Sequence, residues 1–328
     1  MMMLPAGAQP APAGLQTEVV FPEASALAST EELVRRLYTP LTAVRINQAA
    51  RQAGRSLRGQ PIDLAQEHYS LYVPDQPHAL LVFIPPWPRA EVPRQWIAAL
   101  NRYNTILVTA ENSGNEAPTV DRREPLALLA AHNVMARYPA VDPQQVYIGG
   151  FSGGARVALR LAVGYPDVFR GALLDAGSDM IGSSDVPLPP ADLFRRVQES
   201  SRLVYLTGER DEENLARDIH SRRSLDQWCV YDVVAQTAPR TGHEITDAAA
   251  FSRALQTLLG RAPGNSAKLQ ACRQQIDREL KSQLEKVESL LGRGDPAGAK
   301  RLLDQIDARY GGLAAPRSLE LAALIPRS

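Results

Sequence analysis

The chain has 328 residues, which at roughly 150 residues per domain means one large domain or two smaller ones. It is 45% hydrophobic and 22% charged, enough to bury a substantial core and unlike a disordered polypeptide. Lys+Arg and Asp+Glu are both 36, a formal net charge of zero, so nothing global draws the chain to nucleic acid or an anionic bilayer, and no apolar run reaches the roughly 18 residues of a membrane span.

The N-terminal run from Met1 to Gly14 is uncharged and rich in Pro and Ala. It lacks the basic start and apolar stretch of a signal peptide, and it reads equally well as a tail of a cytoplasmic protein or the start of a mature exported chain. Residues 24–56 have a weaker helical pattern, interrupted by Pro40, and read as an N-terminal helical extension packed on a sheet. From Tyr69 onward, short apolar runs alternate with helical stretches. The runs are Tyr69–Val73, Ala79–Ile84, Thr105–Thr109, Gln145–Ile148, Gly171–Leu174, Leu203–Leu206 and Cys229–Val233. They are mostly continuous rather than alternating, as expected of strands buried on both faces of a parallel sheet. The helical stretches between them are Pro93–Arg102, Glu124–Tyr138, Ala155–Val163, Ala191–Glu199, Glu212–Gln227 and Asp247–Leu259. This succession predicts an α/β domain over 64–262, a mostly parallel sheet with helices on both faces and an active site at the carboxyl ends of its strands.

After the linker-like Ala262-Pro-Gly-Asn-Ser266, apolar residues recur at Leu269, Cys272, Ile276, Leu280, Leu284, Val287 and Leu291, one stripe of a helix. Gly292 and Gly294 stop it, and Asp295-Pro296 opens a second helix through Leu302, Leu303 and Ile306 to Tyr310. The expected C-terminal unit, residues 263–328, is a helical hairpin whose stripe serves packing or association into a homo-oligomer, with binding of another partner as the sharper alternative. The two cysteines, Cys229 and Cys272, have no CxxC spacing, and His68, His78, His132, His220 and His243 form no ligand pair at helical or finger spacing. No metal site is expected. A disulfide and two buried thiols both remain open for the cysteines.

One motif carries chemistry. Gly150-Phe151-Ser152-Gly153-Gly154 satisfies G-x-S-x-G, a pattern that arises by chance in roughly one chain in ten of this length. Its context is the stronger signal. It follows the apolar strand Val146-Tyr147-Ile148 directly and precedes the helical Ala155–Ala162, the strand, tight turn and helix of a nucleophile elbow. Such a turn strains the serine backbone, and side chains at Gly150 and Gly154 would crowd it. A serine hydroxyl needs a base, and the base needs an orienting carboxylate, in the chain order Ser, acid, His. Only His220 and His243 follow Ser152. His220 falls inside a helix, whereas His243 lies in a Gly-containing loop between the last strand and the last domain helix. Asp211 follows the strand Leu203–Leu206 through Thr207-Gly-Glu-Arg210 and is the leading acid. Glu209 and Asp175 are the alternatives, each with a plain reading as a loop hydrogen bond or helix cap.

The run from Tyr69-Ser-Leu-Tyr-Val-Pro74 through the Ser152 motif, Thr207-Gly-Glu-Arg-Asp211 and Gly242-His243-Glu244 resembles the α/β-hydrolase superfamily. Within it the chain is most similar to polyhydroxybutyrate-depolymerase-like and feruloyl-esterase-like carboxylesterases, over roughly residues 64–262. The resemblance implies Ser152 as nucleophile, His243 as base and Asp211 as acid, acting on a carboxylic ester through an acyl-enzyme without a cofactor. It also implies an oxyanion hole from the amide of Gly153 and from the turn after the strand ending at Ile84. There the sequence departs from the family. Where those esterases carry His-Gly, this chain reads Pro85-Pro86-Trp87-Pro88; proline has no N–H, so Trp87 is the surviving donor.

The segment Asp179–Ser200 reads either as a small cap lined with apolar groups that favour an acyl or aryl substrate, or as an ordinary crossover helix with a long lead-in. Phe151, Met180, Asn112 and Asn115 are the candidate substrate contacts, with turn formation the default for the asparagines. A serine peptidase is the rival within the same chemistry. A non-catalytic scaffold on the same fold is the rival outside it, favoured by the prolines and the helical flanks and opposed by Ser, Asp and His in order. Aspartate-nucleophile chemistry is excluded by Ser152.

Overall fold

A computed structural model describes residues 12–260 and 266–326. The tail up to residue 11 and residues 262–265 of the expected linker lie outside the described residues. In chain order the elements are β1 (Gly14–Val20), α1 (Thr30–Leu37), α2 (Pro40–Gln52), β2 (His68–Val73), β3 (Ala79–Ile84), α3 (Ile97–Arg102), β4 (Thr105–Ala110), α4 (Glu124–Arg137), β5 (Val146–Phe151) and α5 (Gly153–Gly164). They continue with β6 (Gly171–Asp175), α6 (Ala191–Ser200), β7 (Arg202–Gly208), α7 (Glu212–Gln227), β8 (Val233–Ala238), α8 (Ala248–Leu259), α9 (Ser266–Gly292), α10 (Pro296–Tyr310) and α11 (Arg317–Leu324).

The strands form one eight-stranded sheet in the order β1-β2-β4-β3-β5-β6-β7-β8. β2 runs antiparallel to both β1 and β4, and every pairing from β4 through β3 to β8 is parallel. The period-2 geometry of a strand divides the apolar runs between two cores. Leu80, Val82 and Ile84 of β3 face one core, with α4 and α5, while Leu81 and Phe83 face the other, with α3 and α8. The same split puts Leu203 and Tyr205 of β7 on one side and Val204 and Leu206 on the other. On the second side the Trp96 and Phe251 rings stack 3.9 Å apart. The mostly parallel sheet covered on both faces is the predicted architecture, and no described helix is long and apolar enough to cross a membrane.

Three expectations about elements need correction. β1 lies between the uncharged N-terminal run and the first predicted helices, where no strand is expected from the sequence. It is an edge strand with a register shift between Gln16 and Val19 and Glu18 at φ 53°, and this bulge erases the alternation that marks a strand. The run Gln145–Ile148 covers only part of β5, which continues through Gly149 and Gly150 to Phe151. Cys229–Val233 is not a strand except at its last residue. Cys229 sits at φ 63° in the turn after α7 and is bonded to Cys272, and the strand is Val233–Ala238, an edge with alternating exposure.

The predicted N-terminal helices are α1 and α2. The C-terminal pair is α9 and α10, followed by a third helix, α11, that the sequence reading lacked. Leu284, Val287, Leu303, Ile306 and Leu321 of these helices share a core with the sheet. The N-terminal and C-terminal helices also meet directly, since the Leu41 N–H of α2 donates to Asp307 Oδ1 of α10 at 3.0 Å. The disulfide joins α9 to the turn after α7, and Arg273 of α9 donates to Gln198 and Glu199 of α6.

Two outcomes follow from this packing. The disulfide closes a loop with a sequence separation of 43, so replacing both cysteines with serine should lower the unfolding free energy by about 2–4 kcal/mol; an unchanged urea midpoint would remove the bond from the account of stability. Gly154→Ala places a Cβ on the Ile84 carbonyl. Although alanine is favoured over glycine in helices by about 1 kcal/mol, this variant should melt at a lower temperature than the parent in calorimetry.

Candidate active site

β5 ends at Phe151 and α5 begins at Gly153, so the chain turns from strand to helix at one residue. Ser152 carries that turn with φ 55° and ψ −122°, a conformation that costs a non-glycine residue about 1–3 kcal/mol. The surroundings hold it. The Ser152 N–H donates to the Asp175 carbonyl at 2.8 Å. A Cβ on Gly150 would overlap Gly154, and one on Gly154 would overlap the Ile84 carbonyl, so α5 can approach β3 and β5 only with glycine at both positions.

His243 lies in the loop between β8 and α8. Three of the residues considered in the sequence meet here in different ways. The Ser152 hydroxyl lies 2.9 Å from His243 Nε2, and His243 Nδ1 lies 2.7 Å from Asp211 Oδ2. Glu209 and Asp175, the alternative acids, do not reach the imidazole and brace its loop instead. Glu209 Oε2 accepts the Arg240 N–H at 2.8 Å. Asp175 Oδ2 accepts the N–H and the hydroxyl of Thr246 at 3.3 and 3.0 Å, while the Trp96 indole N–H donates to the Thr246 carbonyl at 3.0 Å. His220 is exposed on α7 and remote from the loop's bonding.

The two aspartates have opposite electrostatics. Asp175 is fully buried, and burial drives its pKa up to about 8 against the opposing Thr246 hydrogen bonds. Burial also pushes Asp211 up, but hydrogen bonds from His243 and Asn214 outweigh it and hold that carboxyl below its usual value. Asn214 does this from the first turn of α7, with its Nδ2 donating to both Asp211 oxygens at 3.0 and 2.9 Å. Sequence reasoning missed Asn214 and Thr246. Asn214 had a signal, since it stands three residues after a helix-capping aspartate; Thr246 had none.

The turn at Pro85–Pro88 packs against the loop after β4. The Pro86 and Pro88 carbonyls accept the N–H groups of Asn115 and Asn112 at 2.9 and 2.5 Å, and Gly114 lies so close that a Cβ there would sit 2.7 Å from the Trp87 carbonyl carbon. The Trp87 N–H has no acceptor among the described residues, and Gly153, as the first residue of α5, has none within its helix. The Trp87 and Phe151 rings lie 6.3 Å apart, and Phe151 in turn stacks on His243 at 5.1 Å. Phe151 is thereby buried beneath the imidazole. Asn112 is exposed at φ 52°, and the Asn115 side chain covers Gly153.

The apolar cap is not found. Ile181, Val186, Leu188 and Phe194 are buried in the core beside α5, so the segment is the lead-in to the crossover helix α6, the plainer of the two readings. Met180 is exposed, in a groove of about 790 Å³ with Trp228 and Cys272. Two other cavities are lined by neighbours of the Ser152–His243–Asp211 row. One of about 660 Å³ is lined by Trp87, Val92 and Ile245, and one of about 450 Å³ by Gly153, Arg123, Arg156 and Tyr38. Among the described residues no group of three His, Cys, Asp or Glu side chains is arranged to hold a metal. A hydroxyl, imidazole and carboxylate in a hydrogen-bonded row can move a proton from Oγ to Nε2.

No protein-family model matches the chain, and no curated protein matches it in sequence. Solved structures are similar to it at low identity. A ferulic acid esterase is 17% identical over 59% of this chain and 91% of its own, with a TM-score of 0.42. An S-formylglutathione hydrolase from Staphylococcus aureus is 12% identical over 59% of this chain and 93% of its own, with a TM-score of 0.44. The dipeptidyl peptidase 4 of Porphyromonas gingivalis is 14% identical over 58% of this chain, which spans 33% of that protein, with a TM-score of 0.44; the chain likewise spans 33% of a Bacteroides ovatus dipeptidyl aminopeptidase IV structure. By its own topology, an eight-stranded, mostly parallel sheet with helices on both faces, the chain has the α/β-hydrolase fold.

Proposed function

We propose that the protein is a serine hydrolase that cleaves carboxylic esters through an acyl-enzyme. The observation that carries this reading is the unbroken row from Ser152 Oγ to His243 Nε2 and from His243 Nδ1 to Asp211 Oδ2, built on a strained turn at the carboxyl edge of the sheet. His243 takes the Ser152 proton as Oγ attacks the ester carbonyl. The N–H groups of Gly153 and Trp87 receive the oxyanion, and His243 returns the proton to the departing alcohol. His243 then takes a proton from a water molecule as it attacks the acyl-enzyme, and passes that proton to Ser152 Oγ as the Oγ–acyl bond breaks and the acid leaves. Asp211, kept ionised by its hydrogen bonds, fixes the tautomer with the proton on Nδ1 and stabilises the imidazolium. The groove by Trp87, Val92 and Ile245 offers an apolar wall for one side of the ester.

Incubation with a fluorophosphonate probe should add one adduct to the parent protein and none to Ser152→Ala by intact mass, and ester turnover by the variant should fall by roughly 10³-fold or more. Absence of an adduct on the parent, under conditions that label a control esterase, would favour the scaffold reading.

The assignment of the acid is tested by a pair of variants. Asp211→Asn should lower kcat by roughly 10³–10⁴-fold, whereas Asp175→Asn should keep most of it; the reverse pattern would make Asp175 the acid. Asp175 also sets a pH dependence of stability. Its pKa of about 8 in the folded chain lies above the unfolded value of about 3.9, so between these values the native state holds a proton that the unfolded state releases. The stability this supplies is complete below about pH 4 and is lost as pH rises through about 8. Denaturant unfolding across that range should show a downward slope in the parent that is reduced in Asp175→Asn.

A further inference from the structure

Arg123 lies at the start of α4 and is 4% exposed. Its partners are backbone oxygens: Nε donates to the Ser113 carbonyl at 2.8 Å and Nη2 to the Pro85 carbonyl at 3.2 Å. Among the described residues no carboxylate lies within ion-pair distance of it, and its sequence neighbour Glu124 is instead 2.7 Å from Arg160. Burial lowers its pKa to about 10, so it is still a cation at neutral pH. A buried cation outside any ion pair is expensive to keep, and the charge that acts on it is that of the adjacent buried Glu124, which is paired to Arg160.

Its position gives it a use. The Pro85 carbonyl belongs to the turn that presents the Trp87 N–H, and the Ser113 carbonyl belongs to the loop that packs on that turn through Gly114. Arg123 also lines the cavity that opens on Gly153. It therefore holds the Pro85 end of a turn whose prolines leave it poor in N–H groups, and shares a cavity wall with Gly153. We propose that Arg123 is a positioning residue of the oxyanion site: it clamps the Pro85–Pro88 turn so that the Trp87 N–H faces the reacting carbonyl, and it supplies a positive charge held outside any ion pair that favours the tetrahedral oxyanion over the neutral ester. This rests on the serine-hydrolase reading. The effect belongs to the transition state, because the ground-state carbonyl carries little charge for the cation to attract.

The test compares parent, Arg123→Met and Arg123→Lys on a neutral p-nitrophenyl ester and with a trifluoromethyl ketone, whose adduct with the serine carries an oxyanion. Arg123→Met should lower kcat by about 10- to 100-fold, with KM changed less than about threefold, and should weaken the ketone by a factor similar to the loss in kcat/KM. Arg123→Lys, which keeps the charge and loses the fork, should recover part of both. Equal kcat in parent and Arg123→Met would overturn the proposal. So would a proportional loss of probe-reactive, folded protein in both variants, which would make the residue purely structural. If the parent itself neither turns over the ester nor takes up a fluorophosphonate, the hydrolase reading fails; if the parent does both and the Met variant matches it, only the role of Arg123 fails.

Discussion

The arrangement of this molecule turns on the backbone of one residue. Ser152 is held at positive φ without being glycine, and that conformation persists only because its neighbours leave it no other. Its N–H is bound to the end of β6, and the helix that follows lies so close to the sheet that two glycines are required. The strain is small beside the core of a domain of this size, yet it decides where the hydroxyl points. Relaxing it would return the serine to the line of the strand, away from the edge where the loops converge.

The loops that converge there are tied down by polar groups rather than by hydrophobic contact. Asp175 binds the turn at Ser152 through its backbone and the His243 loop through its side chain; Glu209 holds the same loop from the other side. Both stand at strand ends before loops, where an acid of such a row belongs. What separates them from Asp211 is direction, since a carboxylate at the right edge can face the imidazole or the backbone that carries it. The environments differ accordingly. Asp211 receives several donors and is ionised more readily than a free carboxyl, whereas Asp175, sealed from water with fewer donors, retains its proton to about pH 8.

The central strands, the helices between them and the Ser152 turn were legible in the sequence because their signals are local. A run buried on both faces is continuously apolar, and a turn with this geometry needs glycine at fixed offsets. The edge strands were not legible. β1 has a bulge at Glu18, and β8 alternates weakly beside a cysteine-bearing turn that looks more strand-like than the strand itself. Asp211 and His243 could be placed at strand ends, but which carboxylate touches the imidazole depends on loops brought together from distant parts of the chain. The apolar residues of 181–194 admit two readings, cap or crossover lead-in, for a similar reason. Composition shows that they are to be buried; it does not show whether a substrate or the core buries them, and here it is the core beside α5.

The disulfide between Cys229 and Cys272 has a topological consequence. It spans the passage from the last strand of the sheet through α8 to the C-terminal helices, so β8, the His243 loop and α8 lie within a covalently closed ring. A protease that cuts one peptide bond anywhere in that ring opens the chain without dividing it. The nicked molecule keeps its full mass until a reductant is added, and only then does the C-terminal fragment separate. In a gel run without thiol, such a molecule would be indistinguishable by mass from the intact protein, even though the segment bearing His243 had been cut.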